Sequence, residues 1–251
     1  MFPYRDENET QRTPFVTLAL IAGTSYVWLA IQGGGSALPL AESVCNLGLI
    51  PGELTLSLPA GTAFDLGDGL ACVTDPGRQT SSVVTSMFLH GSWMHLLGNM
   101  WFLWLFGNNI EDSMTRPRFI MFYLLCGLAA AIAQVWADPA SGVPMVGASG
   151  AISGVMGAYL VLFPRVRVWT MIPLGFFFYS LALPAWVMLI YWAFLQLIGG
   201  VGDIGSEQAG GVAFWAHIGG FLAGVVLIKF FERQDRLAAH RAHRWRPRRS
   251  R

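Results

Sequence analysis

Six apolar stretches, at about 15–31, 93–110, 119–137, 143–163, 185–200 and 212–231, constrain this chain more than any other feature. Each lies near the roughly 17–25 residues that cross a bilayer as a helix. The whole chain is 54% hydrophobic and 12% charged, whereas soluble domains carry roughly a quarter charged residues. Stretch 168–183 is also apolar, but it is shorter, contains Pro173 and runs into Pro184. It reads as an interfacial or re-entrant connection, because an irregular backbone facing lipid leaves its polar groups unsatisfied. The expectation is an all-α membrane protein of six transmembrane helices, with no separate soluble domain and no internal repeat.

Charge tests that count. With six spans, Arg116, Arg118, Arg165 and Arg167 fall on the same side as a basic tail that holds nine of the sixteen Lys and Arg between Lys229 and Arg251. The other side receives Glu42, Glu53, Asp65, Asp68, Asp75, Asp138, Asp203 and Glu207, with Arg78 its only base. That is the positive-inside pattern, with both termini cytoplasmic. A seventh span at 168–183 would move the tail outside. The tail reads as an anchor on anionic lipid in preference to a nucleic-acid site. The first twelve residues are polar, with Asp6, Glu7 and Glu9, so no cleavable signal peptide is expected.

The long outer loop, roughly 32–92, contains Gly33, Gly34, Gly35, Pro39, Pro51, Pro59 and Pro76 and is expected to be irregular. Cys45 and Cys72 both lie in it, on the oxidising side of an inner membrane, either as a disulfide or as two free thiols. Cys126 lies in the third stretch and reads as packing. His90 and His95 lack the spacing of a zinc pair, and the Gly-rich stretches lack the lysine of a phosphate loop, so neither metal nor cofactor is expected.

Polar groups in spans are costly and mark where function is to be sought. The second span opens on His90, Ser92, His95 and Asn99, the fourth on Gly147, Ser149 and Gly150, and the sixth on His217 and Gly220. All three spans enter from the outer face, so His95, Ser149 and His217 share one shallow depth. An imidazole beside a serine hydroxyl takes its proton as it attacks a carbonyl and returns it to the leaving amine. His95 and Asn99, four apart on one helix face, offer donors to the developing oxyanion, as does the Ser149 backbone N–H at a helix start. The outer half of each span lacks an acid, so a dyad is expected without an orienting carboxylate.

These motifs resemble the rhomboid family of intramembrane serine proteases across about residues 15–231. The set is His90-x4-His95-x3-Asn99, Gly107-x3-Glu111, Gly147-x-Ser149-Gly150, then Ala216-His217-x2-Gly220-x3-Gly224. Each motif is weak alone; the ordered set is specific. The resemblance implies Ser149 as nucleophile, His217 as general base and acid, and His95, Asn99 and the Ser149 backbone as oxyanion hole. It also implies that Glu111 fixes the turn after the second span, with Arg116 or Arg118 as charged neighbour, and that Trp192 is a gate candidate on a lateral opening. Two departures stand out. Ser153 occupies the place where some members have a tyrosine against which the histidine packs, and the Trp-Arg pair of some members is missing, with Arg78 nearby.

Blander readings apply to several residues. His90 reads as structural, and Trp186, Trp192 and Gln196 as packing by default. The stripe of Gly147, Gly150, Ser153, Gly154 and Gly157 is of the kind that brings spanning helices together. Gly150 and Gly154, with Gly220 and Gly224, are therefore expected to pack the fourth helix on the sixth. The chain divides into a cytoplasmic tail (1–14), a six-helix protease domain (15–231) and a basic cytoplasmic tail (232–251). Its expected partners are the bilayer and transmembrane protein substrates with helix-weakening residues near the outer face, since a helical carbonyl is already hydrogen-bonded. The site is expected to open outward from an inner membrane.

Overall fold

The structure is a computed structural model that describes residues 2–67, 70–175, 177–203 and 212–244. Asp68, Glu207 and the arginines from Arg246 onward, all used in the charge pattern, lie outside the described residues. The chain runs through strand β1 (Phe2–Asp6), helices α1 (Phe15–Ala30), α2 (Ala37–Leu47) and α3 (Pro51–Thr55), and strands β2 (Ala63–Gly67) and β3 (Leu70–Val73). It continues through α4 (Ser82–Thr85), α5 (Trp93–Phe102), α6 (Asn108–Asp112), α7 (Arg116–Ala137) and α8 (Ser149–Leu162). Strands β4 (Arg167–Leu174) and β5 (Phe177–Pro184) then precede α9 (Ala185–Asp203), α10 (Phe214–Phe231) and α11 (Gln234–Arg244).

Every apolar stretch carries a helix. Three of them, α7, α9 up to Gly202 and α10, are long and apolar enough to cross a membrane unaided, while α1 and α8 are shorter apolar helices. The second stretch runs from α5 to α6 through a wider π-type turn at Leu103–Gly107. In the fourth stretch only the part from Ser149 is helical, so Ser149 stands at the head of α8 and not inside it.

Helix α8 is the axis of the molecule. Every residue from Gly150 to Tyr159 is buried, so this part of the helix is enclosed by protein on all sides. It packs on α7 and α10 with little side-chain padding. A Cβ on Gly220 would land on the Gly150 carbonyl oxygen, and one on Gly224 would land on that of Gly154. A Cβ on Gly154 would in turn strike Cys126 of α7, which is buried there with a free thiol. Backbones this close gain dispersion contacts that lipid tails cannot supply.

Sheet structure corrects the all-α expectation. Stretch 168–183, expected as an interfacial or re-entrant connection, forms strands: β4 and β5 pair antiparallel from Arg167↔Pro184 to Leu174↔Phe177, and β1 pairs with β4 on the other side. Cross-strand pairing satisfies the backbone groups that made an irregular chain unfavourable there. The segment between α1 and α5 likewise holds more regular structure than its glycines and prolines suggest. It folds as α2, α3, α4 and the β2–β3 hairpin, closed by a Cys45–Cys72 disulfide with Cα atoms 5.3 Å apart. Glu53 Oε1 accepts from the Asp75 N–H at 2.8 Å, and Leu49 bridges to Met145, just ahead of α8.

The described residues at both ends are docked on the helices. In α11, Leu237 and His240 are buried, Arg236 donates to the Met114 carbonyl, and His240 Nε2 donates to Asn8 Oδ1 at 2.7 Å. Glu111 does not pair with Arg116 or Arg118. Its carboxylate accepts the Val16 and Thr17 N–H groups at 3.0 and 2.8 Å and the Thr17 hydroxyl at 2.8 Å, capping the first turn of α1. Arg116 instead lies over the Phe15 ring at 4.3 Å, and Arg118 donates to the Phe231 carbonyl.

Two predictions follow from this packing. Gly224→Val should lower the melting temperature in detergent steeply, since overpacking a tight contact costs about 1–3 kcal/mol or more, whereas Gly23→Ala, in open space on α1, should not. The second concerns Asp6, whose Oδ2 accepts from Tyr159 Oη at 2.6 Å and Asn109 Nδ2 at 3.0 Å. Burial raises its carboxyl from 3.8 to about 6. The folded protein thus holds this proton more tightly than the unfolded chain, and stability is lost as pH rises through about 6. Melting temperatures from pH 4 to 7 should fall more steeply for wild type than for Asp6→Asn; parallel curves would refute the assignment.

Candidate active site

The polar residues at the heads of α5, α8 and α10 meet in one cavity of about 580 Å³, lined by His95, Asn99, Ser149, Ser153, Trp192 and His217 among others. Its remaining wall is largely apolar, with Met94, Phe102, Met145, Met156 and Val212.

Each side chain is placed by its backbone. Ser92 caps α5, its hydroxyl accepting the His95 N–H at 3.1 Å, which anchors the turn that bears His95. Asn99, one turn later, donates one amide N–H to the His95 carbonyl at 2.8 Å and keeps the other. Gly147 turns the chain into α8 with φ +126°, a conformation that side chains disfavour, and a Cβ there would press on His95 Nε2. Ser149 follows as the first residue of α8, among N–H groups that lack intrahelical partners. At the head of α10, Gln134 of α7 accepts the Ala216 N–H at 3.2 Å.

The central contact is between Ser149 Oγ and His217 Nε2, 2.7 Å apart across 68 residues of sequence. His217 is buried, and its other ring nitrogen, Nδ1, lies 2.8 Å from Gln196 Oε1 of α9. An amide oxygen only accepts, so Nδ1 carries the proton and the Nε2 lone pair faces the serine hydroxyl. Trp192 packs its ring beside His217 with centroids 5.8 Å apart. Ser153 gives His217 no support, because its hydroxyl donates to the Ser149 carbonyl at 2.6 Å. The support comes from α9, through Trp192 and Gln196.

His90 lies behind the cavity. It is fully buried, its ring meets the His95 ring edge-on at 4.9 Å, and its backbone N–H and C=O are clamped by the Gln32 side chain at 2.9 and 2.8 Å. Gln32, Gln134 and Gln196 were not singled out as functional from sequence. Their signal was there: each is an amide in or beside an apolar stretch, where an unpaired polar group is costly. Among the described residues, no group of three His, Cys, Asp or Glu is placed to hold a metal ion.

Apolar helices around a part-buried hydroxyl–imidazole pair mark a membrane protein with a candidate serine-hydrolase site. Residues 77–234 match the rhomboid domain, and the chain belongs to the rhomboid family. It is 28% identical over 172 residues to the mitochondrial Rhomboid protein 1 of Saccharomyces cerevisiae, covering 65% of this chain and 46% of that protein. RHOMBOID-like protein 5 of Arabidopsis thaliana is 30% identical over 146 residues, covering 58% of this chain and 42% of that protein. Rhomboid-like protease 5 of Toxoplasma gondii is 31% identical over 148 residues, covering 57% of this chain and 15% of that protein. The chain spans less than half the length of these relatives.

Proposed function

We propose that this protein is an intramembrane serine endopeptidase that cleaves transmembrane or juxtamembrane segments of other membrane proteins through a Ser149–His217 dyad. The observation that carries this reading is the 2.7 Å contact between Ser149 Oγ and His217 Nε2, with Nδ1 engaged elsewhere. His217 accepts the serine proton as Oγ attacks the scissile carbonyl, then delivers it to the leaving amine. The oxyanion sits among His95, the free N–H of Asn99 and the Ser149 backbone N–H. Trp192, which lines the cavity and packs beside His217, would gate substrate entry.

Six helices then span the bilayer, with both termini cytoplasmic and the site opening toward the outer face of an inner membrane. The basic residues beyond α11 would meet anionic lipid. Helix length supports a sunken site: the 14 residues of α8 rise only about 21 Å, against a hydrocarbon core of roughly 30 Å. The head of α8, with Ser149, therefore lies below the membrane surface, in a cavity that admits water. A substrate must present an extended backbone there, which favours segments with Gly, Pro or small polar residues.

Purified protein in proteoliposomes should cleave a labelled transmembrane substrate, and Ser149→Ala and His217→Ala should each abolish cleavage. Binding without cleavage by the wild type would instead mark a non-hydrolytic client binder. Asn99→Ala should retain KM within a few-fold and lower kcat about 10²-fold, the usual loss for one oxyanion donor; a pure KM effect would remove Asn99 from that role.

A further inference from the structure

We propose that Gln196 is a positioning residue of this site, which holds the ring and the tautomer of His217 from a neighbouring helix. The proposal rests on the serine-hydrolase reading above. Three helices supply the array: Ser149 on α8, His217 on α10 and Gln196 on α9, linked in line by contacts of 2.7 and 2.8 Å. The direction of the chain of donors is set at its far end. Gln196 Oε1 accepts and cannot donate, so it selects the imidazole with the proton on Nδ1, which leaves Nε2 to accept from Ser149. The opposite tautomer would face Oε1 with a lone pair and Ser149 with an N–H, and could not take the serine proton.

The amide is itself oriented. Its Nε2 points to the Trp192 carbonyl one turn back at 3.5 Å, which directs Oε1 toward α10. The inward stripe of α9 is otherwise apolar or small, running through Met188, Leu189, Trp192, Gly199 and Gly200. An amide in such a stripe needs partners, and among the described residues Oε1 finds His217. The helix that carries it is seated on α10 by Phe214 and Trp215, whose rings occupy the space a Cβ would need at Gly199 and meet closely at Gly200. Its other faces, with Ile190, Phe194, Leu197 and Ile198, are exposed. A shift of α9 by about 1 Å away from α10 lengthens the 2.8 Å contact past hydrogen-bond range, so the basicity of the site is tied to the seating of α9.

The test compares wild type, Gln196→Leu, Gln196→Glu and Ser149→Ala in proteoliposomes on one labelled transmembrane substrate, reading kcat, KM and the pH dependence of kcat. Gln196→Leu, close in size but without an acceptor, should lower kcat 10- to 100-fold with KM within about three-fold. Gln196→Glu keeps the acceptor and should retain kcat within a few-fold, with the acidic limb of its pH profile moved to higher pH, because a carboxylate stabilises the imidazolium. Full activity in Gln196→Leu, or an unmoved limb in Gln196→Glu, overturns the proposal. Should Gln196→Leu fail to fold, the pH limb of Gln196→Glu decides alone. Cleavage persisting in Ser149→Ala would locate the failure in the serine-hydrolase reading itself.

Discussion

Backbone contact between α8 and α10 is the constraint on which the rest depends. Gly150 and Gly154 present carbonyl oxygens to Gly220 and Gly224, with no side chain between them. That approach places the head of one helix beside the head of the other, and Ser149 within 2.7 Å of His217 follows from it. Helix α7 completes the core, pressing Ala130 and Cys126 into the glycine gaps of α8. The surrounding helices then need to close around a unit whose chemistry is already assembled.

A second regularity concerns polar groups in a chain suited to lipid. Glu111 caps α1, Gln134 caps α10, Gln32 clamps the backbone of His90, and Gln196 meets His217. Each joins elements distant in sequence, and each satisfies a group that would otherwise be buried without a partner. Hydrophobic burial cannot discriminate among helix arrangements in a bilayer, so specific hydrogen bonds and close glycine contacts set the register.

Much of this was legible beforehand because bilayer physics leaves few options. Each of the six apolar stretches carries a helix, and His95, Asn99, Ser149 and His217, singled out at their heads, line one cavity. The hairpin at β4–β5 was hidden because its apolar run has no helix or strand period that separates the two, and its partner β1 lies more than 160 residues away. Glu111 was given a charged neighbour because arginines stand nearby in sequence, whereas its partners are the N–H groups of α1, which carry no residue-type signature. Gln196 was read as packing for a similar reason. Its importance lies in facing His217 across α9 and α10, and that juxtaposition depends on tertiary placement.

Strand β1 adds to β4, and His240 of α11 reaches Asn8 just beyond β1. Synthesis runs from the amino end, so Ser149 enters the membrane well before His217 exists. A nascent chain therefore carries the hydroxyl without the imidazole, and the clasp at Asn8 closes only after α10 has been made. Under the proposed dyad, the growing polypeptide lacks its base until α10 has been made.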